Sequence, residues 1–147
     1  MTVPARLSIV TLGVSDLPRS TAFYQSLGWE PMAGGDSNII MWFQTNGSVI
    51  GLFPVDELAV DTGVPPEPLS GFRGVTLAMN FSSEAEVDAM YAEFEAAGAT
   101  AVKRPVKTEW GGYSSFVADP DGHYWELACV PEITLDADGR VLSFSSD

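Results

Sequence analysis

The part of the chain that decides the fold is residues 11–29, TLGVSDLPRSTAFYQSLGW. It continues an alternating, β-branched run over residues 6–14, which predicts a strand. Ser15 or Asp16 then offers a helix N-cap, and Pro18 fits the first helical turn because its missing N–H is not needed there. Apolar residues recur at helical spacing until Gly28, whose tolerance of positive φ favours a helix end. The stretch therefore predicts a strand followed by a helix.

The remaining chain repeats this order. Three strands are predicted after the first helix, over residues 29–33, 39–44 and 49–53, and Asn46-Gly47 predicts a type I′ hairpin turn, in which both central residues have positive φ. A second set follows: a strand at 76–81, a helix between the capping-box sequence at Ser83 and Gly98, and strands at 100–103, 113–118 and 123–130. Gly28 and Gly98 hold equivalent places roughly 70 residues apart, which indicates a duplicated βαβββ module.

This pattern predicts an α+β fold in which two βαβββ modules form facing, partly closed mixed β-sheets with the helices outside. We expect a single domain over residues 1–147. Its parts are a first module at residues 5–55, a proline- and acid-rich linker at 56–73, a second module at 74–131, and a C-terminal hairpin or tail at 132–147.

Composition narrows the range of functions. The 20 acidic residues outnumber the 7 basic ones, for a net charge of -13, which disfavours nucleic acids and anionic membranes as partners. The one cysteine, Cys129, excludes a disulfide within the chain. Neither a secretory signal nor an apolar run long enough to span a bilayer is recognised. We therefore expect a cytoplasmic protein that binds neither nucleic acid nor membranes.

Two segments resemble the vicinal oxygen chelate superfamily of glyoxalases, bleomycin-resistance proteins and extradiol dioxygenases. Residues 11–29 resemble its opening strand, aspartate cap and helix ending Phe-Tyr-x-x-Leu-Gly. Residues 110–128, WGGYSSFVADPDGHYWELA, resemble its closing hairpin, with Asp-Pro-Asp-Gly and a glutamate four residues on. The resemblance implies a glyoxalase-like fold and a homodimer. It does not select an activity, because this superfamily hosts many different ones.

The resemblance also implies where the family's metalloenzymes hold a divalent ion. The matching positions here are Ile9, Gly51, Thr76 and Glu126. Only Glu126 carries a good donor atom, since the threonine hydroxyl is a weak ligand and isoleucine and glycine side chains offer none. We therefore expect no metal site and no cofactor.

These observations lead to the hypothesis of a metal-independent small-molecule-binding protein, with a partly aromatic ligand held in a cavity between the modules. A mainly apolar cavity with a few polar anchors is typical of ligand sites. Trp110 and Tyr113 flank Gly111-Gly112, a loop that could close over such a ligand. The expected walls are Trp42, Trp110 and Tyr113, and the expected polar anchors are Thr76, Asn80 and Glu126.

Two alternatives stay open. The first is a divalent-metal-dependent glyoxalase-type lyase or isomerase, or a dioxygenase, with non-standard ligands. The second is an interaction module without a ligand. Whether the chain is an enzyme is left undecided, although Glu126 is the candidate acid or base. We expect His123 to serve the turn beside it and Cys129 to pack against a helix as a small hydrophobic residue.

Overall fold

The computed structural model describes residues 2–145, which divide between Glu67 and Pro68 into two compact units. The first unit contains β1 (Ile9–Val14), α1 (Leu17–Ser26), β2 (Met41–Gln44), β3 (Val49–Pro54) and α2 (Val55–Thr62). The second unit contains β4 (Thr76–Asn80), α3 (Glu84–Ala96), β5 (Thr100–Lys107), β6 (Tyr113–Ala118), β7 (Tyr124–Cys129), β8 (Ile133–Leu135) and β9 (Val141–Phe144).

Each unit is built around a mixed sheet, which confirms the predicted α+β class. The first sheet has the order β1-β3-β2, with β1 parallel and β2 antiparallel to β3. The second has the order β4-β7-β6-β5, with only the β4–β7 pair parallel. Neither of these described sheets closes on itself, because three or four strands are too few to form a barrel. The strands β8 and β9 form a separate antiparallel hairpin.

The helices α1 and α3 end in the same way, as the repeat predicts. Gly28 and Gly98 have φ values of 86° and 101°. The N–H of Gly28 donates to the carbonyl of Gln25, and the next N–H donates to the carbonyl of Tyr24. The equivalent bonds close α3, from Gly98 to Glu95 and from the following residue to Phe94. Both ends are Schellman motifs, so the duplicated module retains the same glycine-dependent helix stop.

Two predictions in the first unit are wrong. The strand expected at residues 29–33 is reduced to an isolated bridge between Pro31 and Phe43, because proline has no N–H to donate to a ladder. The Asn46-Gly47 turn is not type I′, since no described residue other than glycine has positive φ and Gly47 is not among the positive-φ glycines. Instead, the Thr45 hydroxyl accepts the N–H of Gly47 at 3.2 Å and donates to the carbonyl of Ser48, which fixes a different turn.

The segment expected to be a linker contains the helix α2. Its first turn carries Asp56 and Glu57, whose negative charges interact favourably with the positive N-terminal end of the helix dipole. The helix ends at Gly63, which has a φ of 70°. The helix packs on β1 at Gly13, where an added Cβ would lie 3.1 Å from Cγ2 of Val55. None of the helices within residues 2–145 is both long enough and apolar enough to cross a membrane.

Candidate functional site

Glu126 lies in the middle of one face of the second sheet. Its neighbours across the strands are Ala78 on β4 and Phe116 on β6. Cross-strand partners point to the same side of a sheet, and residues two apart along a strand share that side as well. We call this side the Glu126 face. Glu126 is half-buried and Ala78 is exposed, so the carboxylate is accessible from the β4 side.

Ser114 holds the Glu126 carboxylate in place. Its hydroxyl donates to Oε1 of Glu126 at 2.8 Å, and the serine itself is only 2% exposed. Ser114 pairs with Ala128 and therefore lies diagonally across from Glu126 on the same face. Sequence reasoning missed this serine. The sequence contained a signal for it. Side chains two residues apart on a strand point to the same face, so Ser114 shares the face of Phe116 and Glu126.

The structure brings the three expected polar anchors to this one face. Thr76 pairs with Tyr124, and Asn80 pairs with Ala128. Thr76 is exposed and Asn80 is half-buried. Hydroxyl, amide and carboxylate groups thus lie on two adjacent parallel strands, separated by the small side chains of Ala78 and Ala128. This arrangement offers both donors and acceptors to a bound molecule.

Tyr113, expected as a wall of the ligand cavity, lies on the face of the sheet opposite to Glu126. It pairs with Cys129. Its hydroxyl donates to Oδ1 of Asp88 on α3 at 2.8 Å, which ties the start of β6 to the helix. Cys129 shares this helix-facing side, as expected, and burial together with Glu84 and Glu86 raises the pKa of its thiol. A raised pKa disfavours the reactive thiolate form of Cys129.

We expect the Tyr113–Asp88 hydrogen bond to stabilise the fold at neutral pH and to be lost in alkali. The bond to Asp88 is the main cause that raises the pKa of Tyr113 above its ordinary value of 10.0. The bond's contribution is therefore fully present below pH 10.0 and is lost as the pH rises through the higher folded value. The stability advantage of the native chain over Tyr113→Phe should shrink above pH 10 in denaturant titrations.

Asp88→Asn provides the control for this bond. The neutral amide removes the carboxylate that disfavours ionisation of the phenol, so the alkaline loss should begin at a lower pH than in the native chain. If the native chain and Tyr113→Phe keep a constant difference in unfolding free energy across the alkaline range, the hydrogen bond makes no contribution in solution.

Trp110 lies in a turn between β5 and β6 that is held by hydrogen bonds. The N–H of Thr108 donates to the carbonyl of Gly112 at 2.9 Å, and the Thr108 hydroxyl accepts the N–H of Gly112 at 3.0 Å. The indole folds over its own turn, since an added Cβ on Gly112 would lie 2.0 Å from Cζ3 of Trp110. Trp110 as a whole remains 55% exposed. In this conformation Trp110 covers Gly112, and hydrogen bonds hold the turn that we expected to close over a ligand.

In the first unit, Trp42 covers the residue that matches one of the family's metal-ligand positions. Trp42 on β2 pairs with Gly51 on β3. An added Cβ on Gly51 would lie 2.7 Å from Cζ3 of the indole and 3.4 Å from Oγ1 of Thr11 on β1. The indole thus lies flat against the sheet, where only a glycine leaves room for it. This contact places Trp42 on the first sheet, and its role as a wall of a ligand site stays a prediction.

We expect Gly51→Ala to destabilise the first unit by about 1 to 2 kcal/mol, because the added methyl group overlaps the Trp42 ring and forces it to move. Gly47→Ala is the matched control, since the nearest atom to its added Cβ is Oγ1 of Thr45 at 4.0 Å. Denaturant titration followed by tryptophan fluorescence measures both variants. The loss of unfolding free energy caused by Gly51→Ala should be smaller in a Trp42→Ala background. An unchanged loss would mean that the indole does not clash with the added methyl group.

His123 serves the turn between β6 and β7, as expected. Its backbone N–H donates to Oδ1 of Asp119 at 2.9 Å. Its ring Nδ1 lies 3.0 Å from a guanidinium nitrogen of Arg73. Because a guanidinium only donates, Nδ1 accepts and the ring proton resides on Nε2. The histidine therefore connects the segment before β4 to this turn.

The donor atoms do not fit a catalytic metal ion. Within residues 2–145, no three His, Cys, Asp or Glu side chains lie close enough together to hold one. Of the four positions that the family resemblance assigns, only Glu126 and Thr76 have an oxygen atom in the side chain. Oε1 of Glu126 already accepts a hydrogen bond from Ser114. Gly51 lies beneath the Trp42 ring. Catalytic transition-metal sites need about three protein ligands, which this set does not supply.

Comparisons with known proteins agree with this fold. The model of the Glyoxalase/Bleomycin resistance protein/Dioxygenase superfamily matches residues 6–127. A glyoxalase-related enzyme from Fulvimarina pelagi is 34% identical, with a TM-score of 0.86 over 97% of this chain and 100% of that one. A glyoxalase/bleomycin resistance protein/dioxygenase family enzyme from Burkholderia phytofirmans PsJN is 27% identical, with a TM-score of 0.73 over 86% of this chain and 99% of that one.

More distant structures show the fold alone. Lactoylglutathione lyase from Agrobacterium tumefaciens is 21% identical, with a TM-score of 0.63 over 87% of this chain and 96% of that one. No curated protein sequence gives a significant match. The family match covers most of the chain, and both the duplicated helix ends and the mixed sheets agree with it. The chain therefore belongs to the glyoxalase/bleomycin resistance protein/dioxygenase superfamily.

Proposed function

We propose that this protein binds a small organic molecule without a metal ion, and that the Glu126 face of the second sheet is part of its binding site. The observation that carries the proposal is the chemistry of the positions that would hold a metal. Glu126 is the only one of them with a strong metal-ligating group. Its carboxylate accepts a hydrogen bond from the buried Ser114 hydroxyl. A single carboxylate that accepts hydrogen bonds suits recognition of an organic ligand better than chelation of a cation.

Aromatic and small side chains around Glu126 support the same proposal. Phe116 lies beside it on β6, and Tyr124 lies two residues before it on the same face. The Tyr124 ring lies 5.9 Å from the ring of Phe72, measured between centroids. Apolar surface with few polar groups is the usual composition of small-molecule sites. These neighbours favour a ligand with an aromatic or other flat apolar part.

Three measurements on protein purified without chelators test this proposal. We expect elemental analysis to find divalent metal well below one ion per chain, and we expect chelator treatment to leave the thermal midpoint unchanged. A thermal-shift screen of aromatic small molecules should give compounds that raise the midpoint, because a ligand that binds only the folded state stabilises it. Stoichiometric nickel, zinc, iron or manganese that is lost in Glu126→Ala would contradict the proposal and favour a metalloenzyme.

Glu126→Ala also tests where the ligand binds. Midpoint shifts from the screen should decrease in this variant and persist in Glu57→Ala, a change of an exposed acidic residue on α2. A screen in which no compound stabilises the native chain would contradict ligand binding and favour an interaction module. Equal shifts in the native chain and in Glu126→Ala would place the binding site away from this face.

A further inference from the structure

The carboxylate of Glu126 has unused hydrogen-bonding capacity. A carboxylate offers about four lone-pair sites. Ser114 donates to Oε1 at 2.8 Å, and no basic side chain within residues 2–145 forms an ion pair with Glu126. The neighbour on the β4 side is the exposed Ala78, which is too small to cover the carboxylate. The carboxylate therefore lacks a positively charged partner and remains accessible from the β4 side.

The surroundings of this carboxylate suit a positive charge. Phe116 is the direct cross-strand neighbour of Glu126, and Tyr124 lies on the same face of the same strand. The faces of aromatic rings attract cations within about 6 Å of the ring centre. The net charge of -13 adds a long-range field that concentrates cations and repels anions.

We propose that Glu126, oriented by Ser114, binds the protonated amine of an organic cation whose aromatic part lies against Phe116 and Tyr124. This inference rests on the proposed small-molecule-binding function and specifies the class of its ligand. A charge-assisted hydrogen bond from an ammonium group to a carboxylate is roughly twice as strong as a neutral one, so the amine is the dominant anchor. Ser114 occupies Oε1, which leaves Oε2 as the oxygen that receives most of the ammonium hydrogen bonding.

Lys103 is the basic residue in the cross-strand row of Glu126. It lies on β5 and pairs with Phe116, so its backbone follows those of Glu126 and Phe116 in the same cross-strand row. Two strand spacings place it about 10 Å from Glu126. Its ammonium group repels a second cation. The amine therefore enters from the β4 side, where Ala78 and Thr76 are exposed and carry no charge.

A pair of related probes tests this assignment. Tryptamine carries an indole and an ammonium group, whereas tryptophol has the same indole with a neutral hydroxyl in place of the amine. By isothermal titration calorimetry we expect the native chain to bind tryptamine about tenfold more tightly than tryptophol, the effect of one charge-assisted contact. We expect Glu126→Gln to abolish this preference while the affinity for tryptophol stays unchanged. The glutamine still accepts from Ser114, so the fold and the apolar contacts remain.

Glu93→Gln is the matched control, because it removes one negative charge from an exposed position on α3 and should keep the preference for tryptamine. A preference that weakens equally in both variants would overturn the specific contact and leave only an effect of net charge. Equal affinity of the native chain for the two probes, or binding of neutral aromatic compounds without tryptamine, would overturn the cation assignment while the proposed function stands. A wider screen without any bound compound would instead refute the proposed function.

Discussion

Phe43→Ala is expected to lower the free energy of unfolding of the first unit by about 4 kcal/mol, the typical cost of removing a fully buried aromatic side chain. Phe43 on β2 is 0% exposed. Its ring centroid lies 6.0 Å from that of Tyr24 on α1 and 6.2 Å from that of Trp29. The three rings join the first helix to its sheet. The truncation would leave a cavity among rigid rings that cannot easily collapse into it.

Chemical denaturation with tryptophan fluorescence and circular dichroism measures this effect. Phe43→Leu should cost only about 1.5 kcal/mol, because leucine keeps much of the apolar volume. Gln44→Ala, at the exposed next position on the same strand, should change stability by less than about 0.5 kcal/mol. A cost for Phe43→Ala no larger than that for Phe43→Leu would show that this aromatic cluster is not closely packed in solution.

Asp119→Ala is expected to destabilise the second unit by about 3 kcal/mol, since it removes a buried charged acceptor that holds two backbone donors. Asp119 is 3% exposed, and its Oδ1 accepts the N–H groups of Asp121 and His123 at 2.9 Å each. This turn connects β6 to β7 and fixes their register, so it also determines that Ser114 reaches Glu126. Hydrogen exchange of the β6 and β7 amides should accelerate together with the loss of stability.

The chain contains a matched control for this turn. Asp136 accepts the N–H groups of Asp138 and Arg140 at 2.9 Å each in the hairpin between β8 and β9, with the same spacing as in the buried turn. Asp136 is less buried, so Asp136→Ala should cost only about 1 kcal/mol. Asp119→Asn, which keeps an acceptor oxygen, should cost about half as much as Asp119→Ala. Equal costs for the two aspartate-to-alanine changes would mean that burial does not strengthen the turn.

Most elements with local causes were predicted from the sequence; the exception is α2, which lies in the segment expected to be a linker. Both helices α1 and α3 begin at side-chain caps, Asp16 and Ser83, and stop before glycines with positive φ. Their positions follow from hydrogen bonds between residues within about four positions of one another. The strands β6 and β7 were found because the Asp-Pro-Asp-Gly sequence marks the turn between them. The local predictions that were wrong concern Pro31, which has no N–H to donate, and the Asn46-Gly47 turn, where a neighbouring hydroxyl selects a different conformation.

The candidate site was only partly predictable. Thr76, Asn80 and Glu126 lie on one face, which alternation along β4 and β7 predicts. Applying the same alternation of side chains to β6 would have added Ser114 to the residues predicted for this face. It would also have removed Tyr113, because that residue is an odd number of positions from Phe116 and so points to the opposite face. Once the register between β6 and β7 is known, the alternation of side chains along each strand tells which residues share the Glu126 face.

The sequence by itself determined the positions of α1 and α3, their caps and glycine stops, and the absence of a side-chain ligand at Ile9 and Gly51, because these depend on residue chemistry and on contacts between near neighbours. Only the tertiary structure decided that the indole of Trp42 covers Gly51, that the phenol of Tyr113 bonds to Asp88, and that Ser114 donates to Glu126. Each of these contacts joins residues on two different strands, or on a strand and a helix. They depend on strand register and on the direction in which each side chain leaves its strand or helix, which pairwise packing fixes when the sheets form.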